Sequence, residues 1–112
     1  MKIRFSKYDK LWSKLVRERD KQCLYCGRKG ILNAHHILGR RIKATRLCLE
    51  NGTSLCINHH VWDSKFSAHK TPEKFRTWFK KTFSLRWEII NKKQRQHMSE
   101  RQAVAEFEKL YG

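Results

Sequence analysis

The chain has 112 residues, a length that suits one domain with a modest core, and Lys plus Arg outnumber Asp plus Glu by 26 to 10, for a formal charge of +16 and a pI near 10.2. Residues 1–22 hold 8 basic and 3 acidic groups, residues 23–70 hold 8 and 2, and residues 71–112 hold 10 and 5, so the folded body itself is cationic and its expected partner is a polyanion, DNA first, rather than a small-molecule substrate. No run of about 20 apolar residues offers a membrane span, the opening residues lack the apolar segment of a secretory leader, so a reducing cytoplasm is expected, and 12% aromatic with 39% apolar content argues against a disordered basic tail.

Ser6-Lys7-Tyr8-Asp9 reads as a helix start. Tyr8, Leu11, Trp12, Leu15 and Val16 then follow at i, i+3, i+4, i+7 and i+8, which is one apolar stripe on a helix. Lys7, Lys10, Lys14 and Arg17 lie largely off the stripe, on a face turned to solvent or to DNA.

Cys23-Leu24-Tyr25-Cys26-Gly27 is a CxxC knuckle, and Cys56-Ile57-Asn58-His59 is a CxxH pair thirty residues further on. Two ligand pairs separated by a hairpin-sized insert suit tetrahedral zinc, so Cys23, Cys26, Cys56 and His59 are the expected ligands. Four protein ligands leave no open position, which makes the zinc structural. Cys48 is a rival fourth ligand, but it lies outside any paired spacing and reads as a small buried hydrophobe. A redox role for the CxxC needs a βαβ setting that is absent.

His35-His36 sits in an apolar segment, Ile31 to Leu38. On a strand the two would face opposite sides unless the backbone bends. Arg40, Arg41, Lys43 and Arg46 form a basic loop, offset locally by Glu50 alone, suited to phosphate contacts or to plain solvation. Asn51-Gly52 is a turn signal between strands. His97 reads as a surface residue.

Thr71-Pro72-Glu73 opens a helix with Pro at its first position. Phe75, Trp78, Phe79 and Phe83 form its apolar side, and Leu85, Trp87, Ile89 and Ile90 continue after a break at Ser84. Ser99-x2-Gln102 is a capping box. Ala103, Val104, Phe107, Leu110 and Tyr111 complete a last helix that packs on the body or on a second copy, so monomer and homodimer both stay open. These aromatics stand at core spacing, although Trp and Phe also stack on unpaired bases.

Taken in order, Cys23-x2-Cys26, Ala34-His35-His36-Ile37, Glu50-Asn51-Gly52 and Leu55-Cys56-x2-His59-His60 resemble the HNH endonuclease family, over about residues 11–69. Gly39-Arg40-Arg41, Thr45-Arg46-Leu47 and His69-x2-Pro72-x2-Phe75-x2-Trp78-Phe79 are similar to phage recombination nucleases of the NinG type, which implies a phage origin. The resemblance implies an α+β fold. Its ββα-metal (His-Me finger) core with structural zinc would span residues 23–69, flanked by an N-terminal helix (1–22) and a C-terminal helical extension (70–112). The core helix would begin near His59 and run towards Phe66, with Trp62 and Phe66 packed beneath the hairpin.

The same resemblance implies the roles. His36 is the general base for phosphodiester hydrolysis, with a strand histidine or a zinc ligand as the plain alternatives. His35 and His60 hold a catalytic divalent ion such as Mg2+, Mn2+ or Ni2+, with His69 or Asp63 as a third ligand where some members carry a His and this chain has Ser64. Asn51 holds the loop that orients the base. A non-catalytic, zinc-stabilised DNA-binding accessory needs only the zinc residues and the charge.

Overall fold

The apolar stripe near the N-terminus becomes α1 (Phe5–Asp20), with Trp12 and Val16 fully buried and Leu11 left exposed. The architecture comes from a computed structural model that describes residues 5–112; residues 1–4 of the expected N-terminal segment lie outside the described residues. α1 stops where Lys21 enters the left-handed region at φ 63°. Its end is clamped to the sheet, because the Asp20 carboxylate accepts from the Ser54 backbone N–H at 2.9 Å and Arg19 donates to the carbonyls of Leu49 and Gly52, both at 2.7 Å.

β1 (Asn33–His36) pairs antiparallel with β2 (Gly52–Leu55), matching Asn33 to Leu55 and His36 to Gly52. Between them lie the short α2 (Lys43–Arg46) and a 3-10 turn at Leu49–Asn51. After β2 come a single π-type turn at Asn58–Trp62, α3 (Pro72–Thr82), α4 (Ser84–Lys93) and α5 (Glu100–Tyr111). Pro72 opens α3, the chain breaks helix at Phe83, and the Ser99–Gln102 capping box is formed in both directions. No helix among the described residues is long and apolar enough to cross a membrane.

The hairpin separates two cores. On one side Trp12 and Val16 of α1 meet Leu47 and the Ala103, Val104 and Phe107 face of α5. On the other, Leu55 meets the knuckle, Phe75 and Phe79 of α3, and Ile90 of α4. Strand alternation therefore turns Ala34 and His36 towards α1, and His35 with its cross-strand partner Thr53 towards α3.

Three expectations are corrected. The helix after Cys56 does not run to Phe66: it ends at Asp63, whose carboxylate accepts from the backbone N–H groups of Lys65 (2.7 Å) and Phe66 (3.1 Å). A short acidic side chain satisfying nearby amides competes with helix continuation. Trp62 does not pack under the hairpin and stays 63% exposed, while Phe66 stacks on Tyr25 at 3.7 Å. Gly52 is a strand residue rather than a left-handed turn residue, with φ −114°. What requires glycine there is the approach of α1, since a Cβ would lie 2.5 Å from Val16 Cγ2 and 2.8 Å from Trp12 Cζ2.

Candidate metal centres

The knuckle forms because Gly27 takes φ 78° and returns its N–H to the Cys23 carbonyl at 2.8 Å. Leu24 N–H bonds the Ser54 carbonyl, which ties the knuckle to β2 and brings it beside Cys56. Cys23, Cys26, Cys56 and His59 then gather with their ligand atoms within 4.8 Å of one another. Cys26 and Cys56 sulfurs are 3.8 Å apart, and His59 Nδ1 stands 3.3 Å from Cys56 Sγ and 3.9 Å from Cys23 Sγ. A zinc tetrahedron with usual bond lengths has edges of about 3.8 Å between sulfurs and about 3.5 Å from sulfur to nitrogen. The cluster therefore fits zinc as it stands, and its donor set is that of a structural site.

Electrostatics agree with the distances. Burial opposes ionisation of Cys23, yet hydrogen bonds from the backbone of Cys26, Cys56 and Tyr25, together with His59, bring its thiol down to about 7. His59 Nε2 faces the Asp63 carboxylate at 4.0 Å, beyond hydrogen-bond reach but on the side where a ligating imidazole takes its outer-sphere partner. Cys48 is outside the cluster: its Sγ lies 3.5 Å from the Ala44 carbonyl, and burial pushes its thiol up to about 12.

A second cluster sits on the α3 face of the hairpin. His35, His60 and His69 have ligand nitrogens within 4.8 Å of one another, with ring centroids 5.2, 5.6 and 4.4 Å apart for the pairs 35–60, 35–69 and 60–69. Backbone bonds from Ala68 N–H to the His59 carbonyl and from His69 N–H to the His60 carbonyl carry the chain back and deliver His69. Burial, reinforced by neighbouring imidazoles, pushes His35 down to about 3 and His60 down to about 4, so both are neutral at physiological pH. Among the described residues, His60 Nδ1 and Thr53 Oγ1 are buried on this side without a hydrogen-bond partner. Orphaned buried polar atoms are costly.

His36 is not part of that cluster. It lies against α1, stacked on Trp12 with ring centroids 3.8 Å apart and planes 10° from parallel. Its Nε2 donates to the Arg46 carbonyl at 2.9 Å, which assigns the proton to Nε2 because a carbonyl only accepts. Burial, opposed by this bond, brings His36 down to about 4. The two histidines thus serve opposite faces of the hairpin without a bend.

Asn51 is fully buried and closes the loop between the strands. Its Oδ1 accepts from Leu38 N–H at 2.8 Å, and its Nδ2 donates to the carbonyls of Leu38 (3.0 Å) and Thr45 (3.2 Å). Thr45 precedes the carbonyl that holds His36, so the amide and the imidazole share one rigid loop. Arg40, Arg41 and Lys43 are exposed. Arg46 differs from its expected part as a free phosphate contact: it forms a two-pronged ion pair with Asp9 at 3.0 and 2.6 Å and covers the Phe5 ring.

Sequence patterns missed the Arg19–Asp20 clamp, the Arg46–Asp9 pair and the Trp12 platform. Only Trp12 carried a signal, as a member of the helical stripe. No family model matches this chain, and no curated protein or solved structure matches it closely enough to count as a relative.

Proposed function

We propose that the chain is a metal-dependent endodeoxyribonuclease of the HNH type, hydrolysing phosphodiester bonds with His36 as general base. The observation that carries this reading is the pairing, on adjacent strand residues, of an imidazole triad with a separately anchored imidazole. His35, His60 and His69 converge, burial keeps His35 and His60 neutral, and the orphaned His60 nitrogen suits a metal bond. They would hold a divalent ion such as Mn2+, Ni2+ or Mg2+, with imidazoles favouring the first two. Such an ion, when bound, supplies positive charge to the crowded phosphorus and the departing oxygen.

The chain's own contribution is positional. The Arg46 carbonyl accepts the hydrogen bond of His36 Nε2–H and so keeps the proton on Nε2, leaving the Nδ1 lone pair to accept a proton from an attacking water. Trp12 fixes the plane of the ring, and Asn51 fixes the loop that supplies the carbonyl. Arg40, Arg41 and Lys43 offer charge to neighbouring phosphates. A ββα-metal core, with its helix cut to one turn, and DNA as partner are part of the same proposal. A phage origin rests on the sequence resemblance alone.

The test is nicking of supercoiled plasmid in Mg2+, Mn2+ or Ni2+. Wild type is expected to nick in at least one metal, and His36→Ala and His60→Ala to lose at least about 100-fold. Wild type and His36→Ala that are equally inert in all three metals would overturn the nuclease reading and leave a zinc-stabilised DNA-binding module.

A further inference from the structure

We infer that the groove between α1 and β1 is a docking track for the phosphodiester backbone of DNA, built by Lys10, Lys14 and Arg17 of α1 and Arg40 of the loop. The inference rests on the proposed nuclease reading for its place in catalysis, but not for the binding itself. The groove encloses about 480 Å3 and has His36 among its lining residues. All four cations are exposed and line it.

Among the described residues, its one lining carboxylate, Asp9, is neutralised by the two-pronged contact with Arg46. The nearest further acid in α1, Glu18, stands 3.9 Å from Lys14 with both side chains well exposed, a pair that water and salt screen. The groove therefore presents four positive charges with no effective internal counter-charge.

Spacing points to the same ligand. Lys10, Lys14 and Arg17 stand at i, i+4 and i+7, on one helix face, over about 10.5 Å of axis. A row of cations of this length matches a short run of consecutive phosphates on one DNA strand. Trp12, Ser13, Ala34 and His36 complete the lining with Asp9, and the Trp12 indole N–H is already given to the Cys48 carbonyl. The four cations suit phosphate contacts, which position the backbone. A strand lying in it passes His36, which lines the groove.

The test uses the full chain and a fluorescein-labelled 20-base-pair duplex, followed by anisotropy across a salt series without added divalent metal. Lys10→Gln/Lys14→Gln/Arg17→Gln is compared with Lys81→Gln/Lys92→Gln/Arg95→Gln, three equally exposed cations elsewhere. Thermal midpoints confirm that both variants fold. The groove variant is expected to lose at least about 10-fold in affinity and to flatten the slope of log K against log salt by about 2.7, while the control loses clearly less. Equal losses and equal slopes in the two variants overturn the track. Failure to nick plasmid in any metal would sink the nuclease reading and leave this difference untouched, so the two outcomes separate.

Discussion

The indole of Trp12 lies flat against the imidazole of His36, 3.8 Å between ring centroids and 10° from parallel, while its Nε1 donates to the Cys48 carbonyl at 2.7 Å. One buried side chain therefore joins the α1 core to a candidate catalytic ring and to the loop that frames it. Trp12→Phe keeps a ring under His36 but removes one of the two hydrogen bonds that the Cys48 carbonyl accepts, the other coming from Asn51 N–H at 3.1 Å, at a cost of about 0.5–1.5 kcal/mol. Trp12→Leu also removes the flat face and leaves a cavity, so it should cost more. Urea midpoints check the order. Nitrogen NMR of His36 should show the Nε2–H tautomer in wild type and a loss of that preference in Trp12→Leu.

The zinc cluster couples metal to fold, because ligands that meet only in the folded chain return binding free energy as stability. One tightly held zinc per chain is expected by elemental analysis. A strong chelator should lower the thermal midpoint and open Cys23, Cys26 and Cys56 to alkylation. Cys23→Ser should do the same without chelator. A chain that keeps its melting temperature after complete zinc removal would contradict the structural role.

Cys48 sets an alkaline limit. Its folded thiol is pushed by burial to about 12, against an ordinary value near 9. Between those values the unfolded chain has lost this proton and the folded chain keeps it, so stability falls as pH rises through the window. Cys48→Ala removes that contribution, and its stability should decline less steeply than wild type between pH 9 and 12 in urea titrations. Parallel slopes would refute it.

Asn51 makes three hydrogen bonds in a fully buried position. Asn51→Ala strands the N–H and the carbonyl of Leu38, with about 1–3 kcal/mol for each group that water cannot reach, while the Thr45 carbonyl keeps its bond from Cys48 N–H. Asn51→Asp keeps the bond to Leu38 N–H but sets a carboxylate oxygen against the Leu38 and Thr45 carbonyls, so it should be at least as damaging. Hydrogen exchange at the Leu38 amide should accelerate strongly in Asn51→Ala and less in Asn51→Asp.

Gly52→Ala is expected to cost about 1–3 kcal/mol through overpacking alone, since the backbone there is extended and the added methyl meets Val16 and Trp12. Removing the Val16 methyls clears the closest contact and leaves only that with Trp12 Cζ2 at 2.8 Å. Gly52→Ala/Val16→Ala should therefore be more stable than the two separate losses add up to, a coupling that denaturation of the four-member cycle measures.

Much of the site was legible before any coordinates. CxxC and CxxH spacings each place two ligands within one local turn, so the Cys3His cluster needed only the hairpin between them. The stripe of α1, the Pro72 start and the Ser99 cap are likewise local, governed by helical period and by unpaired terminal amides. The α+β outline follows from these. The long helix expected after Cys56 failed because Asp63 satisfies two amides ahead of it, an alternative that periodicity does not register.

What neighbouring residues along the chain establish, then, is which ligands pair, where helices begin, and that His35 and His36 diverge from one strand. Folding alone set His69 beside His60, spent Arg46 on Asp9, laid Trp12 beneath His36 and made Gly52 a point of contact with α1. Each of those depends on two segments remote in sequence arriving at one place, and the spacing within either segment carries no record of the other.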